Sequence, residues 1–97
     1  MTDELLHTFP SIWDALAETP EEAATMRRRA ELALAIRGVV EAWGQSQSQA
    51  AARLGVTQPR LNDLLRGRLE RFSLDTLMAL AERGGLAVEM RISLAAE

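Results

Sequence analysis

The stretch from residue 46 to residue 67, Ser-Gln-Ser-Gln-Ala-Ala-Ala-Arg-Leu-Gly-Val-Thr-Gln-Pro-Arg-Leu-Asn-Asp-Leu-Leu-Arg-Gly, leaves the chain few options. It holds start and stop signals for two short helices with only a tight turn between them. Ser46 can accept from the backbone N–H three residues on while Gln49 reaches back, a capping box that starts the first helix near Gln47. Ala50, Ala51 and Leu54 share a face, and the small alanines let a second helix approach closely. Gly55 ends that helix because a left-handed residue after the last turn suits glycine best. Thr57 caps the second helix, and Pro59 is tolerated in its first turn, where a missing N–H leaves nothing unpaired. Leu61, Leu64 and Leu65 form the inward face. At about 100° per residue the opposite side then presents Pro59, Asn62, Asp63 and Arg66, with Arg60 flanking and Gln58 at the exposed N-terminal end.

Glutamine, arginine and asparagine on an outward helix face are the side chains that read base edges and phosphates. The pattern Gln-x-x-Ala-Ala-x-x-Leu-Gly-Val-Thr-Gln-Pro-x-Leu-x-x-Leu-Leu-Arg-Gly resembles the helix-turn-helix of the lambdoid repressor or Xre family, over residues 46 to 84. The resemblance implies that Gln47 anchors a phosphate, together with Ser46, and that Gln58 reads a base in the major groove. It further implies specificity positions at Arg60, Asn62 and Asp63, with Arg66, Arg68 and Arg71 near the DNA backbone. Asp63 departs from the family pattern: a carboxylate accepts from cytosine N4 but repels phosphate.

The net charge of −3 conceals a division along the chain. Residues 1–25 hold six acids and no arginine, whereas residues 26–97 hold eleven arginines against eight acids. An acidic arm is thus attached to a mildly basic body. Between residues 53 and 71 the local balance is +3, from Arg53, Arg60, Arg66, Arg68 and Arg71 against Asp63 and Glu70. A dimer doubles that, enough for a salt-sensitive grip on phosphate. Every basic residue is arginine, which favours planar, bidentate partners. Without cysteine there is neither a disulfide framework nor a thiolate metal site. No apolar run of about 20 residues and no secretory signal is present, so a soluble cytoplasmic protein without membrane contact is expected.

Ser11 can cap a short helical turn bearing Ile12, Trp13 and Leu16, and Thr19-Pro20-Glu21-Glu22 is a strong helix start. From there Met26, Ala30, Ala33, Ile36, Val40 and Trp43 recur at helical spacing until Gly44, one long helix or two nearly collinear ones. Arg27, Arg28 and Arg29 splay across about 200° of that helix and read as solvated rather than as one patch. Ser73 caps a last helix with Leu74, Leu77, Met78 and Ala81 inward, ending at Gly84-Gly85. Beyond it Leu86, Val88, Met90, Ile92 and Leu94 alternate with Ala87, Glu89, Arg91 and Ser93, a half-buried β-strand. One strand cannot satisfy its own backbone, so pairing with the same strand of a second subunit is expected, Glu89 meeting Arg91 across the ladder. A strand in the N-terminal arm or in another protein is the alternative.

The expected fold is mainly α: a lambda-repressor-like bundle of about five helices with a C-terminal β-strand paired across a dimer. The expected organisation is an acidic arm over 1–25, a helical DNA-binding domain over 26–85 with its helix-turn-helix at 46–67, and a dimerisation element over 86–97. Twofold symmetry would set two recognition helices about 34 Å apart on a palindrome. The order of segments, from Phe-x-x-x-Trp-Asp-Ala-Leu through the Glu-Glu-Ala helix start to Arg-Phe-Ser-Leu-Asp-Thr-Leu, resembles the HigA-type antitoxins of bacterial toxin–antitoxin pairs over nearly the whole chain. That resemblance implies capture of a small basic ribonuclease toxin of the RelE/HigB kind and repression of a shared operon. Phe9, Ile12, Trp13 and Leu16, aromatic and apolar anchors embedded in acid, are the candidate toxin contacts; docking on the protein's own long helix is the other reading of them. A stand-alone transcriptional regulator shares every residue from 46 to 84 and stays open. An enzyme is not expected: His7 is the single histidine, with no cysteine nucleophile and no phosphate loop, and with Asp3 and Glu4 it makes no persuasive metal set, so no cofactor is expected.

Overall fold

The computed structural model describes residues 19–95. Within them the chain forms four α-helices, α1 (Pro20–Trp43), α2 (Gln47–Leu54), α3 (Gln58–Leu65) and α4 (Leu74–Arg83), with a single 3-10 turn at Leu69–Arg71 between the last two. Each α-helix starts on a hydroxyl side chain. Thr19, Ser46, Thr57 and Ser73 accept from the backbone N–H three residues on, and Thr19 with Glu22 and Ser46 with Gln49 complete reciprocal capping boxes. The first helix is a single piece of 24 residues, ended by Gly44 at φ 64°.

These helices enclose one core. From α1 come Ala30, Ala33, Ile36 and Val40; from α2, Ala50, Ala51 and Leu54; from α3, Leu61 and Leu64; from α4, Leu77, Leu80 and Ala81. Leu69 and Phe72, in the connection after α3, are also buried. A fully buried leucine or phenylalanine contributes about 1.5–3 kcal/mol relative to its exposed state. The alanines act differently: they keep α1 and α2 slim where neighbouring helices press against them. Helix α1 is the platform, touching α3, α4 and the 3-10 turn, while α2 packs on α3.

Two expectations need correction. The described residues contain four α-helices rather than about five, and the turn expected after Ser11 lies outside them. No β-strand forms over 86–94 among the described residues. The Leu86 N–H donates to the Ala81 carbonyl, and Leu86 and Val88 rest half-buried on the core. Met90, Ile92 and Leu94 then run out into solvent. A strand needs a neighbouring strand for its N–H and C=O groups, and the helical bundle offers none. The alternating pattern is present, but the described residues hold no second strand to pair with it. The inward faces also shift in detail, because Leu65, Leu74 and Met78 are half-buried while Leu69, Phe72 and Leu80 lie in the core.

Candidate nucleic-acid interface

The turn between α2 and α3 is set by Gly55. At φ 73° it closes α2 with its own N–H directed to the Ala51 and Ala52 carbonyls, and the Val56 N–H follows onto Ala51. A residue with a Cβ is strained in that conformation. An added Cβ would in addition sit 3.4 Å from Arg83 Nη1. Arg83 reaches across from α4 to donate to the Leu54 carbonyl at 3.2 Å, and Arg37 reaches from α1 to donate to the Leu65 carbonyl at 3.1 Å. Both short helices therefore have an otherwise unpaired C-terminal carbonyl satisfied by an arginine from elsewhere in the bundle. Nothing in the spacing of Arg37 or Arg83 marks this role.

Helix α3 buries Leu61 and Leu64 and turns its other side outward. The two glutamines that open α2 and α3 meet: Gln58 Nε2 donates to Gln47 Oε1 at 3.4 Å. Gln58, Pro59 and Arg66 are exposed, and Asn62 is half-buried with no side-chain partner among the described residues. Ser46 spends its hydroxyl on the cap of α2, beside Gln47.

Arg60 and Asp63 are placed less simply. The Arg60 guanidinium lies over the Phe72 ring, 4.0 Å from its centroid, and Nη1 donates to the Arg71 carbonyl at 2.9 Å. Asp63 accepts from Arg68 at 2.9 Å on one carboxylate oxygen and from Arg71 at 3.2 Å on the other. Phe72, Arg60, Arg71, Asp63 and Arg68 thus form one connected network that holds the loop after α3 against the flank of that helix. Desolvation pushes the Asp63 carboxyl upward, but hydrogen bonds from Arg68 and Arg71 and the charges of both outweigh it, and its pKa falls below the ordinary aspartate value. Two arginines on one carboxylate leave a net positive charge there.

Arg53, at the end of α2, stacks 3.8 Å from the centroid of the Trp43 ring and donates to Gln45. Of the arginine triple, Arg28 is exposed and Arg29 lies with Nη1 3.1 Å from Met26 Sδ, so the three do not form one patch. Phe9, Ile12, Trp13, Leu16 and His7 lie outside the described residues. Among the described residues no group of acidic or histidine side chains is arranged to hold a metal ion, and no helix is long and apolar enough to cross a membrane.

The structure therefore brings Gln47 to Gln58 and Asp63 to Arg68 and Arg71, and draws Arg60 aside onto an aromatic ring. The role of Phe72 escaped sequence reasoning, since a residue 12 positions from Arg60 carries no periodic link to it. No match was found among curated proteins or among solved structures. The sequence profile of the helix-turn-helix domain family matches residues 15–93. The chain belongs to that family.

Proposed function

We propose that this helix-turn-helix protein works in the bacterial cytoplasm as the antitoxin of a toxin–antitoxin pair, binding operator DNA as a dimer and capturing a small basic ribonuclease through its acidic arm. It acts by binding and not by catalysis. The observation that carries the DNA reading is the exposed N-terminal end of α3, where Gln58 stands beside Gln47 with Arg66, Arg68 and Arg71 at the other end of the helix. Gln58 and Asn62 are assigned to base edges, and Ser46, Gln47, Arg66, Arg68 and Arg71 to the backbone. Arg60 and Asp63 complete the readout set, each also engaged within the protein. The antitoxin reading is supported by the order of segments and by the acid-rich arm with Phe9, Ile12, Trp13 and Leu16. A stand-alone regulator is the second reading, favoured by the family match, whose description names a helix-turn-helix domain and no toxin.

The test is titration of the full chain against the duplex immediately upstream of its own gene and against a scrambled duplex of equal composition. Preference for the upstream duplex is expected. Gln58→Ala is expected to cost about 1–3 kcal/mol on that duplex and little on the scrambled one. Equal affinity for both duplexes at low salt refutes sequence-specific binding.

A further inference from the structure

Phe72 is a core residue, only 1% exposed, yet what lies over its ring is the charged end of Arg60, the third residue of α3, 4.0 Å from the ring centroid. The backbone fixes that ring from both sides. The Phe72 N–H donates to the Leu69 carbonyl and closes the 3-10 turn, and the next residue, Ser73, caps α4. Arg60 is thus held twice, by the ring face and by the Arg71 carbonyl, which accepts from Nη1 at 2.9 Å. Its Nε and Nη2 make no hydrogen bond among the described residues. These two nitrogens carry parallel N–H groups on one edge of the guanidinium plane, a fork that fits two acceptors side by side. Of the base edges in the major groove, guanine presents such a pair, N7 and O6.

We propose that Phe72 is a positioning residue that makes Arg60 a reader of guanine: with its face on the ring and Nη1 on the Arg71 carbonyl, Arg60 turns its remaining edge to N7 and O6 of one guanine in the operator. This rests on the duplex reading of the proposed function and gives that reading a base. The place of Arg60 favours a base over a phosphate. It lies in the first turn of α3, beside the exposed Gln58, where a helix seated in the major groove meets base edges. Arg68 and Arg71, assigned to the backbone, are joined to Asp63, whereas Arg60 stands outside that pairing. An arginine loose in solvent loses side-chain freedom when it docks; one already clamped loses less, and a fork held at one angle rejects edges it does not fit. The ring therefore adds sequence preference without touching DNA.

The experiment uses the full chain and the upstream duplex, with guanines replaced one at a time by 7-deazaguanine, in which a C–H takes the place of N7. At one guanine of each half-site the wild type is expected to lose about tenfold in affinity. Arg60→Lys keeps the charge but not the fork. It is expected to bind the unmodified duplex about tenfold more weakly and to be indifferent to deazaguanine at that place. Phe72→Leu keeps an apolar side chain in the core and removes the ring face. The same sensitivity is expected to vanish while the response at every other position is retained, and the double variant is expected to bind no more weakly than Arg60→Lys alone. A purely structural Phe72 weakens binding at all positions alike, and that result overturns the proposal. Should Phe72→Leu fail to fold, the δ protons of Arg60 in the wild type report the stack by NMR: an upfield ring-current shift is expected, and unshifted signals overturn the role of Phe72. An upstream-duplex preference with no guanine whose N7 matters through Arg60 overturns this inference alone. So does an Arg60→Lys variant that matches wild type while Arg60→Ala weakens every duplex equally, which assigns Arg60 to phosphate. Absence of any duplex preference in the wild type fails the DNA reading itself, and this inference with it.

Discussion

Asp63 shows how a single side chain takes its meaning from its surroundings. On a bare helix it is a carboxylate facing a polyanion. In the folded protein its side chain is only 19% exposed, and it joins Arg68 and Arg71, two side chains assigned to phosphate. The pair is thereby pre-oriented, and less side-chain entropy is lost when DNA arrives. Because its folded pKa lies below the ordinary value, the stabilisation from its ionised form is fully present above the ordinary aspartate range and is lost as pH falls through the lowered value. Asp63→Asn is expected to unfold at lower urea concentration than the wild type at pH 7, with the difference shrinking below about pH 4. A difference that persists unchanged into acid assigns the effect to something other than this carboxylate.

The helix starts carry function as well as stability. Ser46 satisfies the N–H of Gln49 and simultaneously stands beside Gln47, where a phosphate is assigned. Removing the cap with Ser46→Ala is expected to cost about 1 kcal/mol, which in a domain of this size lowers Tm by about 4–8 °C. Ser46→Asp separates the two roles. Aspartate caps a helix as well as serine does, so thermal unfolding is expected to stay near wild type, while the added charge weakens duplex binding. If Ser46→Asp binds the upstream duplex as tightly as wild type, no phosphate approaches the start of α2. Both short helices depend on the bundle at their other ends, through Arg83 on Leu54 and Arg37 on Leu65. Eight residues are too few for a stable isolated helix, so tertiary contacts hold the pair in place.

At the scale of the whole molecule, the chain joins segments of opposite charge. The helix α1 begins at Pro20 on the Thr19 cap and buries Ala23, so a cut at residue 25 runs through that helix, whereas a cut at residue 18 spares its cap. Deleting residues 1–18 removes four acids and no arginine from a chain of net charge −3, leaving +1. The truncated protein is expected to keep its unfolding temperature and to bind random duplex more tightly at low salt. The proposed function requires a small basic toxin, and the truncated protein is expected to lose its capture, measured by co-purification after co-expression with the product of a neighbouring gene. Full neutralisation of that protein by the truncated form refutes the assignment of toxin contacts to the arm.

Much of this architecture is written locally. Thr19, Ser46, Thr57 and Ser73 with Gly44 and Gly55 delimit the helices, because caps and left-handed glycines act on their own neighbours and need no distant residue. The inward leucines of α3 follow from a period of 3.6, and so does the outward face that carries Gln58. The alternation of residues 86–94 is equally plain, yet a strand is a relation between two segments, and the described residues supply only one of them. What the folded arrangement alone decided is how the polar residues pair. Arg60 on Phe72, Asp63 between Arg68 and Arg71, and the arginines closing α2 and α3 join residues whose separation in sequence bears no relation to their separation in space. Periodicity assigns a side chain to a face, but long and flexible side chains choose their partners only after the helices have packed.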